Sequence, residues 1–131
     1  MNGPTGSMRT PIARVRGLGA AHSGTSEFFR QRLTALAMLL LFIPALIVIM
    51  MLLGRNHAGA AQILGSPLVA IIMMLFIVAS TWHMKLGMQV VIEDYVHDEK
   101  LKLVAVIANI FFSAAVGLAS IYAIIKLSSG V

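Results

Sequence analysis

Three long stretches of the chain are almost free of charge, and the polar residues between them come in short, dense groups. The first stretch runs from about Leu33 to Leu53 and holds no ionisable residue. The second runs from Leu68 to about Ile92; it is uncharged until His83, then carries Lys85 and Gln89. The third runs from about Leu103 to Ile125 and is closed by Lys126 and Gly130. Each is long enough to cross a hydrocarbon layer of about 30 Å, which takes about 20 apolar residues as a helix. The pattern predicts an all-α integral membrane protein with three transmembrane helices. Pro44, near the middle of the first, is expected to kink it. Phe28, Phe29, Arg30 and Arg32 form an interfacial turn of that helix. The second stretch is about 37 Å long as a helix, so it tilts or emerges past the hydrocarbon.

The remaining segments read as connections. Residues 1–26, rich in Gly, Ser, Thr and Arg, form an irregular arm ahead of a three-helix membrane domain at 27–131. Residues 54–66 form a short link, after which Pro67 suits the first turn of a helix. Residues 93–102 form a polar loop, with Asp98 as N-cap and Glu99 in the first turn of the third helix.

Composition supports this reading. Of the 131 residues, 59% are hydrophobic and 11% charged, against about 25% charged in soluble domains. Mean hydropathy is +0.91. A soluble fold of this size has more surface than such a chain could cover with polar groups. The absence of cysteine excludes disulfides, thiolate metal sites and cysteine catalysis. The net charge of +5 does not point to nucleic acid, because the basic residues cluster around the first span. Arg9, Arg14, Arg16, Arg30 and Arg32 precede or open it, and Lys100 and Lys102 lie on the same side; Arg55 and Lys126 lie opposite. This asymmetry places the N-terminus in the cytoplasm (or a matrix) and the C-terminus outside. The arm is not a secretory signal, since the apolar run is too long and lacks a cleavage site; a mitochondrial presequence is the weaker rival. No internal repeat is visible, which disfavours an inverted-repeat transporter.

His83 carries the most chemistry. An ionisable residue within a span usually faces a partner or an interior. Gly87 follows one turn later, about 40° away round the helix, and Ser80 is a small residue one turn earlier. An imidazole flanked by small residues suits a flat macrocycle, with His83 as ligand to a haem iron and Gly87 letting the ring approach the backbone. The alternative is a histidine hydrogen-bonded to a neighbouring helix, and spacing leaves the two open. The other spans contain no histidine, so a second histidine ligand would come from another chain; a Met within this chain is the other possibility.

If the helix runs on, Asp94 lies about 20° from His83 and three turns nearer the cytoplasm. Asp94 and Tyr95 could form a donor–acid pair at the membrane edge, although tyrosines also anchor interfaces. Arg30 and Arg32 could meet head groups, propionates or partner carboxylates, or simply orient the span. Lys85 either snorkels or pairs in a wet pocket. Ala105, Asn109, Ser113 and Gly117 recur every four residues and read as a packing seam.

His83-x3-Gly87-Met88-x5-Asp94-Tyr95 on the second of three spans resembles the membrane-anchor D subunit of succinate dehydrogenase, respiratory complex II. Arg32-Leu33-Thr34-Ala35 is similar to that family's Arg-x-Thr-Ala entry to its first helix. Arg9-Thr10-Pro11 and Arg14-Val15-Arg16-Gly17-Leu18-Gly19 resemble alphaproteobacterial members. The resemblance covers nearly the whole chain. It implies a cytochrome b partner subunit that shares one haem b and supplies its second ligand. It also implies docked flavoprotein and iron–sulfur subunits and a ubiquinone-reduction site. It assigns His83 as this subunit's haem ligand, Tyr95 and Asp94 to quinone, and Arg32 to the haem propionates. Lys85 departs from the family pattern. The competing readings are a small transporter or channel subunit using His83 and Lys85 as a relay, an assembly protein, and the anchor of a fumarate reductase.

Overall fold

A computed structural model describes residues 10–12 and 24–130; the expectations for the rest of the arm, Arg9, Arg14 and Arg16 among them, lie outside these residues. Among the described residues, four helices follow one another over 24–129: α1 Gly24–Leu52, α2 His57–Leu64, α3 Pro67–Tyr95 and α4 Glu99–Ser129. Three of them, α1, α3 and α4, are long and apolar enough to cross a membrane. They match the three expected spans and overrun them at several ends.

The overruns have a common cause. Hydropathy reports where the hydrocarbon ends, whereas a helix ends where its backbone hydrogen bonds stop. Thus α1 already begins at Gly24, inside the stretch read as irregular arm. The polar residues Glu93, Asp94 and Tyr95 complete α3, and only residues 96–98 lie outside helix in the segment read as a loop over 93–102. At the start of α4 the Asp98 side chain accepts from the Leu101 N–H at 2.8 Å, the expected N-cap. At its end Gly130 takes a left-handed φ of 69°, which a residue without Cβ adopts freely.

The link read as a simple connection over 54–66 contains α2. Asn56 caps it by accepting from the Gly59 N–H at 2.9 Å, and Gly54, with φ 72°, turns the chain out of α1. Leu64 is buried. Pro67 stands at the start of α3 as expected.

Helix α3 is the middle of the assembly. It packs against α1 on one side and α4 on the other, and α1 and α4 make no comparable contact with each other. The α3–α4 seam is built on the small and polar stripe. Asn109, Ser113 and Gly117 are buried, and Asn109 Nδ2 donates to the Lys85 carbonyl at 2.9 Å. A Cβ on Gly117 would stand 3.3 Å from Thr81 Oγ1, so the glycine permits the close approach of the two helices. Large apolar side chains such as Leu39, Leu40, Phe111 and Leu118 remain exposed. In a bilayer these apolar surfaces face hydrocarbon rather than water.

Candidate functional site

His83 sits on α3 where that helix faces α1. Its Nδ1 lies 3.0 Å from Thr34 Oγ1. The same hydroxyl lies 3.0 Å from the carbonyls of Arg30 and Gln31, one turn back in α1. The hydrogen bond to a neighbouring helix, one of the two readings left open for His83, is therefore present. It occupies only one ring nitrogen. Among the described residues Nε2 has no hydrogen-bond partner, so the arrangement leaves the second nitrogen free to act as a ligand.

Around His83 the small residues differ. Within 4 Å of a Cβ built on Gly87 there is nothing, so the space beside that backbone is open. The Ser80 hydroxyl is instead shut in by the chain's own atoms and is without a hydrogen-bond partner. Any packing by Ser80 against a bound ring would be through its small size. No group of three His, Asp or Glu side chains comes together among the described residues as a metal site; His83 stands alone.

Lys85 faces elsewhere. It lines a groove of about 270 Å³ between α3 and α4, with Thr81, Trp82 and Ser113. His83 meets α1 instead. Two residues along a helix are about 160° apart, so His83 and Lys85 serve different faces of α3.

At the C-terminal end of the motif α3 runs unbroken through Asp94 and Tyr95, which meets the condition for placing Asp94 beneath His83. By helical rise, Tyr95 is about 18 Å along the axis from His83. Both Asp94 and Tyr95 are exposed, Tyr95 at 77%. Close by, Gln89 donates to Glu93 at 2.8 Å. The Tyr95 hydroxyl has no intrachain partner among the described residues.

Arg32 lies over the ring of Phe28, 4.9 Å from its centroid, in a cation–π contact along α1. It is about 160° round α1 from Thr34. Arg30 is the arginine on the Thr34 side. It borders an apolar groove of about 320 Å³ between α1 and α3, lined also by Thr34, Leu75 and Trp82. Sequence reasoning quoted Thr34 only as part of an entry motif. Its signal was a hydroxyl inside a charge-free run, which in a membrane needs an acceptor, but nothing in the sequence names His83 as its neighbour.

Three long apolar helices, one carrying a histidine hydrogen-bonded to its neighbouring helix, define a multi-pass membrane protein. Residues 6–117 match the family described as Succinate dehydrogenase/Fumarate reductase transmembrane subunit, and the chain belongs to that family. It is 30% identical over 121 residues to the succinate dehydrogenase hydrophobic membrane anchor subunit of Paracoccus denitrificans, covering 92% of this chain and 93% of that protein. It is 32% identical over 123 residues to the subunit of the same name from Rickettsia bellii, covering 92% and 96%. No solved structure matches it significantly.

Proposed function

We propose that this chain is the hydrophobic anchor of a succinate:ubiquinone oxidoreductase in a bacterial inner membrane. The observation that carries the reading is the arrangement along α3: His83 with no partner for Nε2 among the described residues, open space beside Gly87 one turn on, and Asp94–Tyr95 exposed where the same helix ends.

The residues fit a haem b. His83 would hold the iron through Nε2, and the open backbone at Gly87 would leave room for the group. Ser80 would add only its small volume. When bound, the haem supplies a one-electron redox centre within the membrane. A second histidine ligand would come from a partner subunit, the cytochrome b subunit of the family resemblance, since no other histidine lies on a span of this chain. Arg32 would be the propionate partner in this reading.

Iron–sulfur and flavoprotein subunits dock on the cytoplasmic edge, the side of Arg30, Arg32, Lys100 and Lys102 by the positive-inside rule. Succinate chemistry takes place on those subunits. Quinone binds as substrate at the same edge, its tail in lipid. Tyr95 donates its hydroxyl proton in a hydrogen bond to a quinone carbonyl. Asp94 would pass protons from cytoplasmic water, of which reduction to quinol takes two together with two electrons. Running this sequence backwards describes a fumarate reductase.

The relay reading, with His83 and Lys85 on one transport path, is disfavoured because the two serve opposite faces of α3. Affinity purification from native membranes tests the proposal. The tagged chain should bring down a flavoprotein and an iron–sulfur protein. The purified complex should show a b-type band in its reduced-minus-oxidised spectrum. Recovery of the chain without either soluble subunit would overturn it.

A further inference from the structure

The hydrogen bonds around Thr34 favour one tautomer of His83. A threonine hydroxyl has one hydrogen to donate. Thr34 Oγ1 stands 3.0 Å from the Arg30 carbonyl, 3.0 Å from the Gln31 carbonyl and 3.0 Å from His83 Nδ1. The carbonyls can only accept. If Nδ1 were bare, it would also need the one hydroxyl hydrogen. Oγ1 would then face two carbonyl oxygens at hydrogen-bond distance with no proton between them. The consistent assignment gives the hydroxyl hydrogen to the carbonyls of α1 and lets Oγ1 accept from Nδ1–H. In a neutral imidazole the lone pair is then on Nε2, the nitrogen that has no partner among the described residues.

We propose that Thr34 is a positioning residue for His83: it fixes the Nδ1–H tautomer and the ring orientation, and so presents Nε2 as the ligand atom. This rests on the reading of His83 as an axial ligand. It adds an unexpected partner, a hydroxyl on another helix held in place by two main-chain carbonyls. Metal-bound histidines commonly donate their second N–H to a fixed acceptor, which orients the ring and raises its basicity. A more basic ligand favours ferric over ferrous haem, so removing the acceptor shifts the potential upward.

The test uses the whole complex in membranes, with Thr34→Val, which keeps the shape and removes the hydroxyl, and Thr34→Ser, which restores it. Haem content per flavin, haem midpoint potential and the low-spin ferric electron paramagnetic resonance signal are read. Succinate oxidation with a soluble dye reports assembly. Thr34→Val should weaken haem retention by about 10–100-fold and shift the remaining haem to a more positive potential, and Thr34→Ser should return both towards wild type. A merely structural role would not give a potential shift that the serine reverses. If the valine variant fails to assemble, Thr34→Ala is read in the same way. Wild-type haem content and potential in the valine or alanine variant overturns the proposal, as does a serine variant as defective as valine. His83→Ala separates the two levels. If that variant keeps the b-type spectrum, the ligand reading itself fails. If it loses the band while Thr34→Val is silent, only the positioning role fails.

Discussion

Asn109 Nδ2 on α4 donates to the main-chain carbonyl of Lys85 on α3 at 2.9 Å, and the Asn109 side chain is itself buried. This bond fixes the level at which the two helices meet. Eight residues further along α4, Gly117 lies against Thr81 with no room to spare. The two contacts define a seam in which a polar anchor sets register and a glycine sets distance.

The seam makes a prediction about the order of two variants. Asn109→Leu loses one interhelical hydrogen bond, which in membrane helices averages about 0.6 kcal/mol. Gly117→Val forces a branched side chain into Thr81 and should cost more, about 1–3 kcal/mol. Thermal dissociation of the detergent-solubilised complex should rank valine below leucine in stability. The opposite order would show that the glycine contact is not tight in the assembled protein.

A second prediction concerns the haem. His83→Ala should abolish normal bis-ligation while leaving the chain inserted, because span hydropathy and charge asymmetry are unchanged. Gly87→Leu should also impair haem binding, by filling the open space beside the backbone. Reduced-minus-oxidised spectra of membranes, with immunoblots for the chain, check both. A leucine variant with a normal band would show that the ring does not lie against Gly87.

Topology provides a third. Reporter fusions at residues 20 and 98 should report the cytoplasmic side, and fusions at residues 58 and 131 the opposite side. The three apolar helices require residues 58 and 98 to differ, and the Lys and Arg distribution sets which side is which. The same side for residues 58 and 98 would contradict a membrane-crossing α3.

The fourth concerns quinone. Tyr95→Phe keeps the ring and removes only the hydroxyl. Losing one hydrogen bond to a quinone carbonyl costs about 1–3 kcal/mol. Quinone reduction should therefore fall at least several-fold, while succinate oxidation with a soluble dye stays near wild type. Equal quinone rates in both proteins would leave Tyr95 as an interface anchor.

The spans, their number and the Asp98 cap were legible in the sequence because each depends on neighbouring residues. A charge-free run of sufficient length must be satisfied internally as a helix in lipid, and Asp98 caps α4 by accepting from an N–H only three residues on. The helix ends were less legible: Glu93 to Tyr95 are polar yet helical, since leaving the hydrocarbon does not break a backbone hydrogen bond. Helix α2 was hidden among glycines, where only the Asn56 cap marks its start.

The sequence by itself determined an all-α membrane protein with a histidine one turn from a glycine and an Asp-Tyr pair on the same helix. Only the tertiary structure decided that α3 is the middle helix, that Lys85 turns to α4, and that His83 meets Thr34 across 49 positions of chain. The reason is that these helices are apolar nearly all round. Without a polar face to be kept in water, periodicity cannot say how each is rotated or which neighbour it touches. Those choices rest on close packing at Gly117 and on a few buried polar groups, each needing a partner that another helix provides.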